Sequence, residues 1–212
     1  MKNTYSKKNI KQKDAKSKII SSNQAKYNTK NPIKKWLINK LIKKIISLIK
    51  TDLPEVVLDA GCGEGYMIDY ISRALNCEII GVDINSESIE YAQTIHKGNN
   101  KVKLINGDIK DLPFDDNKFD LVICSEVLEH LDEPIYCLNE LRRVSRSRAI
   151  ISVPNEPYFR LSNLLALNHL KSLGNAPGHI NNYNKARLDK LIKLYFSDYR
   201  FYYSFPWIIV YG

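Results

Sequence analysis

A glycine-rich turn and three acids are the residues of this chain whose types and spacing first suggest chemistry. The run Val57-Leu58-Asp59-Ala60-Gly61-Cys62-Gly63-Glu64-Gly65 closes a short apolar stretch. Glycines at that density let backbone approach a ligand with no Cβ in the way. A dinucleotide fingerprint needs glycine at position 66, where this chain carries Tyr66. Asp59 precedes the turn, Asp83 ends the next apolar run in Gly81-Val82-Asp83-Ile84-Asn85, and Asp108 follows the third in Asn106-Gly107-Asp108-Ile109. A carboxylate at the second place can accept both hydroxyls of a ribose, and one at the third can take an adenine amino group. Three acids at three successive strand ends suit a nucleoside and not a polyphosphate.

A second cluster is Glu126-Val127-Leu128-Glu129-His130. On a helical turn Glu126, Glu129 and His130 share one face by their i, i+3, i+4 spacing. Two carboxylates and an imidazole so gathered can hold a divalent ion, and oxygen-rich ligation suits magnesium. An ion there would lower the pKa of a bound hydroxyl. Two alternatives stay open: His130 acts alone as a general base, its ordinary pKa lying near neutrality, or it only packs. His96 and His169 fall on presumed helices without partners and read as structural.

The elements that must position these residues follow from hydrophobic patterning. Short Val/Ile/Leu runs predict strands at Val56–Asp59, Glu78–Asp83, Lys103–Asn106, Phe119–Cys124 and Ala149–Val153, with helices near 64–75, 86–97 and 133–145. Such alternation implies an α/β, doubly wound, Rossmann-like and mostly parallel sheet with helices on both faces, ligands lying at the carboxyl ends of the strands. Residues 51–212 would form this domain. Within it, 154–183 is an insertion over the acceptor side, with Leu161, Leu164, Leu165 and Leu167 marking a short helix. Tyr158, Phe159, Leu161 and Tyr183 are candidate walls of an apolar pocket. A helix over 184–196 and aromatic strands at 199–205 and 207–211 follow. The last strand reaches the final residue, which reads as a natural chain that continues.

The 212 residues carry a net charge of +9, unevenly spread. Residues 1–50 hold fifteen lysines and one acid, whereas 51–212 hold 17 bases against 22 acids. Residues 1–31 read as a flexible Lys-rich arm and 32–50 as a basic amphipathic helix opened by Pro32. The helix either packs on the domain, the favoured reading, or lies on an anionic membrane, and RNA is the other anionic partner the arm could touch. No apolar run is long enough to span a bilayer, and Cys62, Cys77, Cys124 and Cys137 show no CxxC spacing. Both features suggest a reduced, cytoplasmic protein, peripheral at a membrane if the helix binds one. Oligomeric state is not legible.

Taken together, VLDAGCGEGY, GVDIN, NGDIKDLPFDDNKFDLVICSEVLEHL and ISVPN resemble the class I S-adenosylmethionine-dependent methyltransferases over residues 54–211. The resemblance implies S-adenosylmethionine as cofactor. Gly61 and Gly63 would bracket its methionine, and Asp59 would orient the ammonium. Asp83 would hold the ribose with Ile84 packed on adenine, and Asp108 and Ile109 would contact the adenine ring. The Glu126-Glu129-His130 set resembles the metal ligands of ubiquinone-biosynthesis O-methyltransferases. It also resembles those of small-RNA 3′-end 2′-O-methyltransferases, in which a downstream histidine completes the site. His179 lies at the corresponding place, so the resemblance implies Mg2+ on Glu126, Glu129, His130 and His179, or deprotonation by His130 or His179. The implied activity is O-directed transfer to a small-molecule, lipid-linked or glycan acceptor. The alternatives are an RNA terminal ribose and a non-catalytic cofactor-binding scaffold. One departure stands where relatives carry Lys-Pro-Gly-Gly: this chain reads Arg146-Ser147-Arg148-Ala149. With Arg142 and Arg143, this cluster is expected to be structural, favoured by a helix C-terminus, with phosphate binding as its other use.

Overall fold

Continuous Val, Ile and Leu runs can be buried only when both faces of a sheet are covered, and that is how they are used. A computed structural model describes residues 26–165, 173, 174, 176 and 178–212. Residues 1–25 of the Lys-rich arm, together with Leu167, His169 and Pro177, lie outside the described residues. Helix α1 spans Pro32–Asp52 and is followed by β1 Val56–Ala60, α2 Tyr66–Ala74, β2 Glu78–Asp83, α3 Ser86–Ile95 and β3 Val102–Asn106. Then come β4 Phe119–Ser125, a single 3-10 turn Leu128–His130, α4 Pro134–Val144 and β5 Ser145–Pro154. The chain closes with α5 Tyr158–Leu165, α6 Lys185–Ile192, β6 Arg200–Ser204 and β7 Trp207–Tyr211.

The sheet order is β3-β2-β1-β4-β5-β7-β6. Strands β1 to β5 run parallel, and β7 runs antiparallel to both β5 and β6. The direction of winding reverses between β1 and β4, so the crevice for a ligand lies outside their carboxyl ends. Alternate strand residues feed two cores. On one face Leu58, Ile80, Val122 and Ile151 pack with Leu138 and Leu141 of α4 and Leu188 of α6. On the other, Val57, Ile79, Leu121 and Ile150 meet Ile68 of α2 and the apolar stripe of α1.

Helix α1 begins as its sequence predicts: Asn31 caps the amides of Ile33 and Lys34, and Pro32 occupies the first turn. Its Ile38, Leu41, Ile42, Ile45, Leu48 and Ile49 are all buried, each contributing about 1.5–3 kcal/mol. Of the two uses expected for that stripe, packing on the domain is the one displayed; Ile33 and Trp36 stay exposed at the helix start. No helix among the described residues is long and apolar enough to cross a membrane.

Strand β5 starts earlier than the hydrophobic pattern indicates. Helix α4 passes directly into it, and Ser145 pairs with Phe119 across a register shift in β4. Arg146 and Arg148 are therefore strand residues, not helix-end cations. Arg146 donates to Asp120 at 2.7 Å, while Arg143 binds Glu140, Asp116 and the carbonyls of Leu112 and Phe114. These contacts use the cluster's charge to tie α4 and β5 to the loop before β4.

Candidate active site

The turn after β1 is stitched onto β2: the amides of Gly61 and Cys62 both donate to the Val82 carbonyl, at 2.8 and 3.0 Å. Gly61 has φ 81°, and a Cβ there would meet Val127 Cγ2 at 2.5 Å. Glycine is needed at this position for its backbone conformation and also for the room. The turn's last residue, Gly65, is held from α3, where His96 Nε2 lies 3.1 Å from its carbonyl. His96, expected to lack a partner, thus supports the turn.

Each strand-end acid meets a different surrounding. Asp83 accepts the Gly63 amide on Oδ2 at 2.8 Å and the Asn85 amide on Oδ1 at 2.9 Å. Its carboxylate therefore fixes the turn from the end of β2. Asp108 accepts the Lys110 amide at 2.9 Å; its neighbour Ile109 is buried, whereas Ile84 is 55% exposed at the crevice lip. Asp59 is the unusual one. It is buried, and its Oδ2 has no hydrogen-bond partner among the described residues. Burial, reinforced by the nearby charge of Asp83, lifts its carboxyl to about 7. An ammonium is the group such a carboxylate lacks.

The second cluster is built differently from the helical turn expected of it. Glu126 continues the ladder, its amide donating to Ser152 at 2.8 Å, and then takes φ 58°. Only Leu128–His130 coils, as one 3-10 turn. The physical reason is the fit of Val127 against Gly61, which demands an abrupt change of direction after β4. As a correction to the expected shared face, Glu126 does not join the cluster that Glu129 and His130 form with His179. Its carboxylate accepts from the indole of Trp207 and pairs with the ammonium of Lys26.

Glu129, His130 and His179 do come together: one ligand atom from each lies within 4.8 Å of the others. The loop carrying His179 is pinned to the 3-10 turn. Glu129's carbonyl accepts the amides of Ile180 and Asn181 at 2.9 and 3.0 Å, and Asn181 Nδ2 donates to Leu131 at 2.6 Å. His130 Nδ1 lies 2.9 Å from the Gly178 carbonyl. A carbonyl only accepts, so Nδ1 carries the proton and Nε2 keeps its lone pair. The two imidazoles meet edge to face at 4.9 Å, and Phe159 stacks on His179 at 5.5 Å. Glu129 is 1% exposed, and neither of its carboxylate oxygens has a hydrogen-bond partner among the described residues. Burial raises its carboxyl to about 8 against the pull of Lys26. The same burial, with Lys26 adding to it, holds His130 below its ordinary value.

Of the aromatic wall expected in the insertion, only Phe159 touches the histidines. Tyr183 belongs to the core beneath, and Tyr158 and Leu161 are half exposed. Sequence reasoning missed three contributors: Trp207, Lys26 and Tyr27. Tyr27 stacks on Tyr66 with ring centroids 4.5 Å apart, and Asn28 reaches the Tyr66 hydroxyl at 3.3 Å. The segment before α1 therefore crosses the crevice from the glycine turn to the end of β4. Nothing in a run of lysines marks Lys26, although the Trp207 aromatic signal was visible.

The donor set suits magnesium poorly. With Glu126 engaged by Trp207 and Lys26, two imidazoles and one carboxylate make up the cluster, whereas magnesium prefers an octahedron of oxygens. The nearby ammonium of Lys26 adds positive charge to the same space.

Comparison with known proteins places this geometry. A family described as "Methyltransferase domain" matches residues 58–153. A demethylmenaquinone methyltransferase from Staphylococcus carnosus is 26% identical over 161 residues, covering 72% of this chain and 67% of that enzyme. The chain spans about half the length of most of the curated relatives it matches. Among solved structures, the PH0226 protein from Pyrococcus horikoshii aligns with a TM-score of 0.67 at 22% identity, covering 89% of this chain and 94% of its own. Magnesium protoporphyrin IX methyltransferase from Synechocystis, solved with bound S-adenosylhomocysteine, aligns with a TM-score of 0.65 at 20% identity, covering 89% and 90%.

Proposed function

We propose that this chain, whose residues 58–153 match a methyltransferase-domain family, is a class I S-adenosylmethionine-dependent methyltransferase that methylates an oxygen of a small, ring-bearing acceptor with His130 as the base. The observation that carries the reading is the His130–Gly178 bond. It leaves Nε2 open beside a buried Glu129 and His179, on the acceptor side of the crevice. An O–H acceptor has a proton to lose, and a neutral imidazole is the group to take it.

Asp59 would hold the cofactor's ammonium, its orphaned oxygen being the feature that fits. Asp83 would hold the ribose hydroxyls, Ile84 and Ile109 would enclose the adenine, and Asp108 would reach its amino group. Gly61 and Gly63 would let the methionine approach the backbone. When bound, S-adenosylmethionine would supply an electrophilic methyl group for the acceptor oxygen and leave as S-adenosylhomocysteine. His130 Nε2 takes the hydroxyl proton and releases it to solvent. His179 fixes the plane of His130, and Phe159 and Trp207, 6.2 Å apart, give an aromatic wall. A ring acceptor suits that wall, and the staphylococcal relative is named for a quinone substrate.

In this reading the proton transfer needs no magnesium. The test uses radiolabelled S-adenosylmethionine with a panel of phenols, quinols, sugars and short RNA. Label in an organic extract, lost in His130→Asn and unchanged by EDTA, is the expected result. Label in RNA alone, or transfer that requires added magnesium, would contradict it.

A further inference from the structure

We propose that Lys26, delivered by the segment ahead of α1, is a residue of the acceptor site that receives the ionised oxygen of a phenol or enol, in the position where the resemblance would place a metal. The inference rests on the oxygen-directed reading above and deepens it.

Three observations carry it. Lys26 is placed by its neighbours: Tyr27 is stacked on Tyr66 and Asn28 is bonded to it, so the backbone is fastened to the cofactor turn. Its ammonium is drawn inward, paired with Glu126, with the rings of Tyr27 and Trp207 at 5.0 and 5.8 Å; only 15% of the side chain is exposed. Its partner Glu126 also follows β4 directly, just ahead of the 3-10 turn Leu128–His130 that bears the base cluster, so the ammonium is delivered to that end of the crevice. An ammonium carries three donors. Glu126 uses one, and the crevice on the cluster's side offers an acceptor oxygen as a further partner.

The chemistry follows from charge. Removing a proton from a hydroxyl beside His130 leaves an oxyanion, and a cation beside it stabilises that charge where it develops. Burial brings the Lys26 ammonium down to about 7, and an oxyanion against it favours its charged form. Glu126 is already satisfied by Lys26 and the Trp207 indole. The groups in contact with the ammonium are Glu126, Tyr27 and Trp207, with the charges of Glu129 and Lys34 acting on it in opposite senses, and an aromatic acceptor would lie against the two rings.

The probe is 4-nitrophenol, whose visible band reports its ionisation, titrated against the full chain with S-adenosylhomocysteine and EDTA present. The wild-type protein should bind the phenolate form and lower the probe's ionisation midpoint. Lys26→Met should weaken phenolate binding by about tenfold or more, and Lys26→Arg should restore it. S-adenosylhomocysteine affinity, read by calorimetry, shows that both variants remain folded. Phenolate binding unchanged in Lys26→Met, or appearing only with added divalent metal, would overturn the role of Lys26. His130→Asn separates this from the reading beneath it: that variant should still bind phenolate while failing to transfer methyl. Intact transfer in His130→Asn would remove the base assignment and leave the Lys26 result standing.

Discussion

His130 holds the carbonyl of Gly178 through Nδ1 at 2.9 Å, and that bond decides which ring nitrogen keeps its lone pair. The carbonyl sits within the insertion, 48 residues along the chain from the imidazole. The imidazole is thereby tied to the loop that also carries His179, and the placement of one fixes the other.

Replacing His130 by Asn should slow methyl transfer by about 10²–10⁴-fold and leave cofactor affinity within error. Burial holds the imidazole below its ordinary 6.5, so the free base already predominates at neutral pH. The wild-type rate should rise with pH through a midpoint below 6.5 and stay level above it. A rising limb centred well above neutrality would show that another group removes the proton.

Asp59 gives a proton signature for cofactor binding. Its carboxyl is raised from 3.8 to about 7 in the fold. Between those values the native chain holds a proton that the unfolded chain has lost, so this group lowers apo stability as pH rises across that window. A cofactor ammonium favours the ionised form. Binding should therefore release a proton below about pH 7 and tighten as pH rises toward it. Calorimetry in two buffers of different ionisation enthalpy measures the release, and Asp59→Asn should abolish it while weakening binding.

Gly61→Ala places a methyl group 2.5 Å from Val127 Cγ2 on a backbone with φ 81°. The expected cost is about 1–3 kcal/mol of stability, seen as a lower midpoint in urea, together with loss of cofactor binding. A variant as stable as the parent would mean that Val127 does not pack on this turn.

Arg143 tests the structural account of the arginine cluster. Its guanidinium binds two carboxylates and two carbonyls between α4 and the loop before β4. Arg143→Ala should lower stability by about 1–2 kcal/mol and leave S-adenosylmethionine affinity unchanged. Weaker cofactor binding at equal stability would point to the anion-binding role.

The parts of the fold legible in the sequence were those set by local rules. Apolar runs marked the parallel strands, and Asn31-Pro32 marked the start of α1. Asp59, Gly61 and Asp83 were readable because turn chemistry and strand-end position lie in contiguous residues. Glu126 was misplaced because its left-handed backbone is dictated by Val127 packing on Gly61, a tertiary contact with no glycine or asparagine to announce it. The early start of β5 was hidden by Arg146 and Arg148, whose charges are met by Asp120 and Asp198 across the fold. Lys26 was illegible for a simpler reason: one lysine among fifteen gains its meaning only when Tyr27 docks on Tyr66.

The most direct measurement is a calorimetric titration of S-adenosylmethionine into the EDTA-treated protein, repeated with magnesium. Binding in the micromolar range, with the same heat under both conditions, is the predicted result. No binding, or binding that appears only when magnesium is added, would contradict a crevice completed by this chain's own carboxylates and lysine.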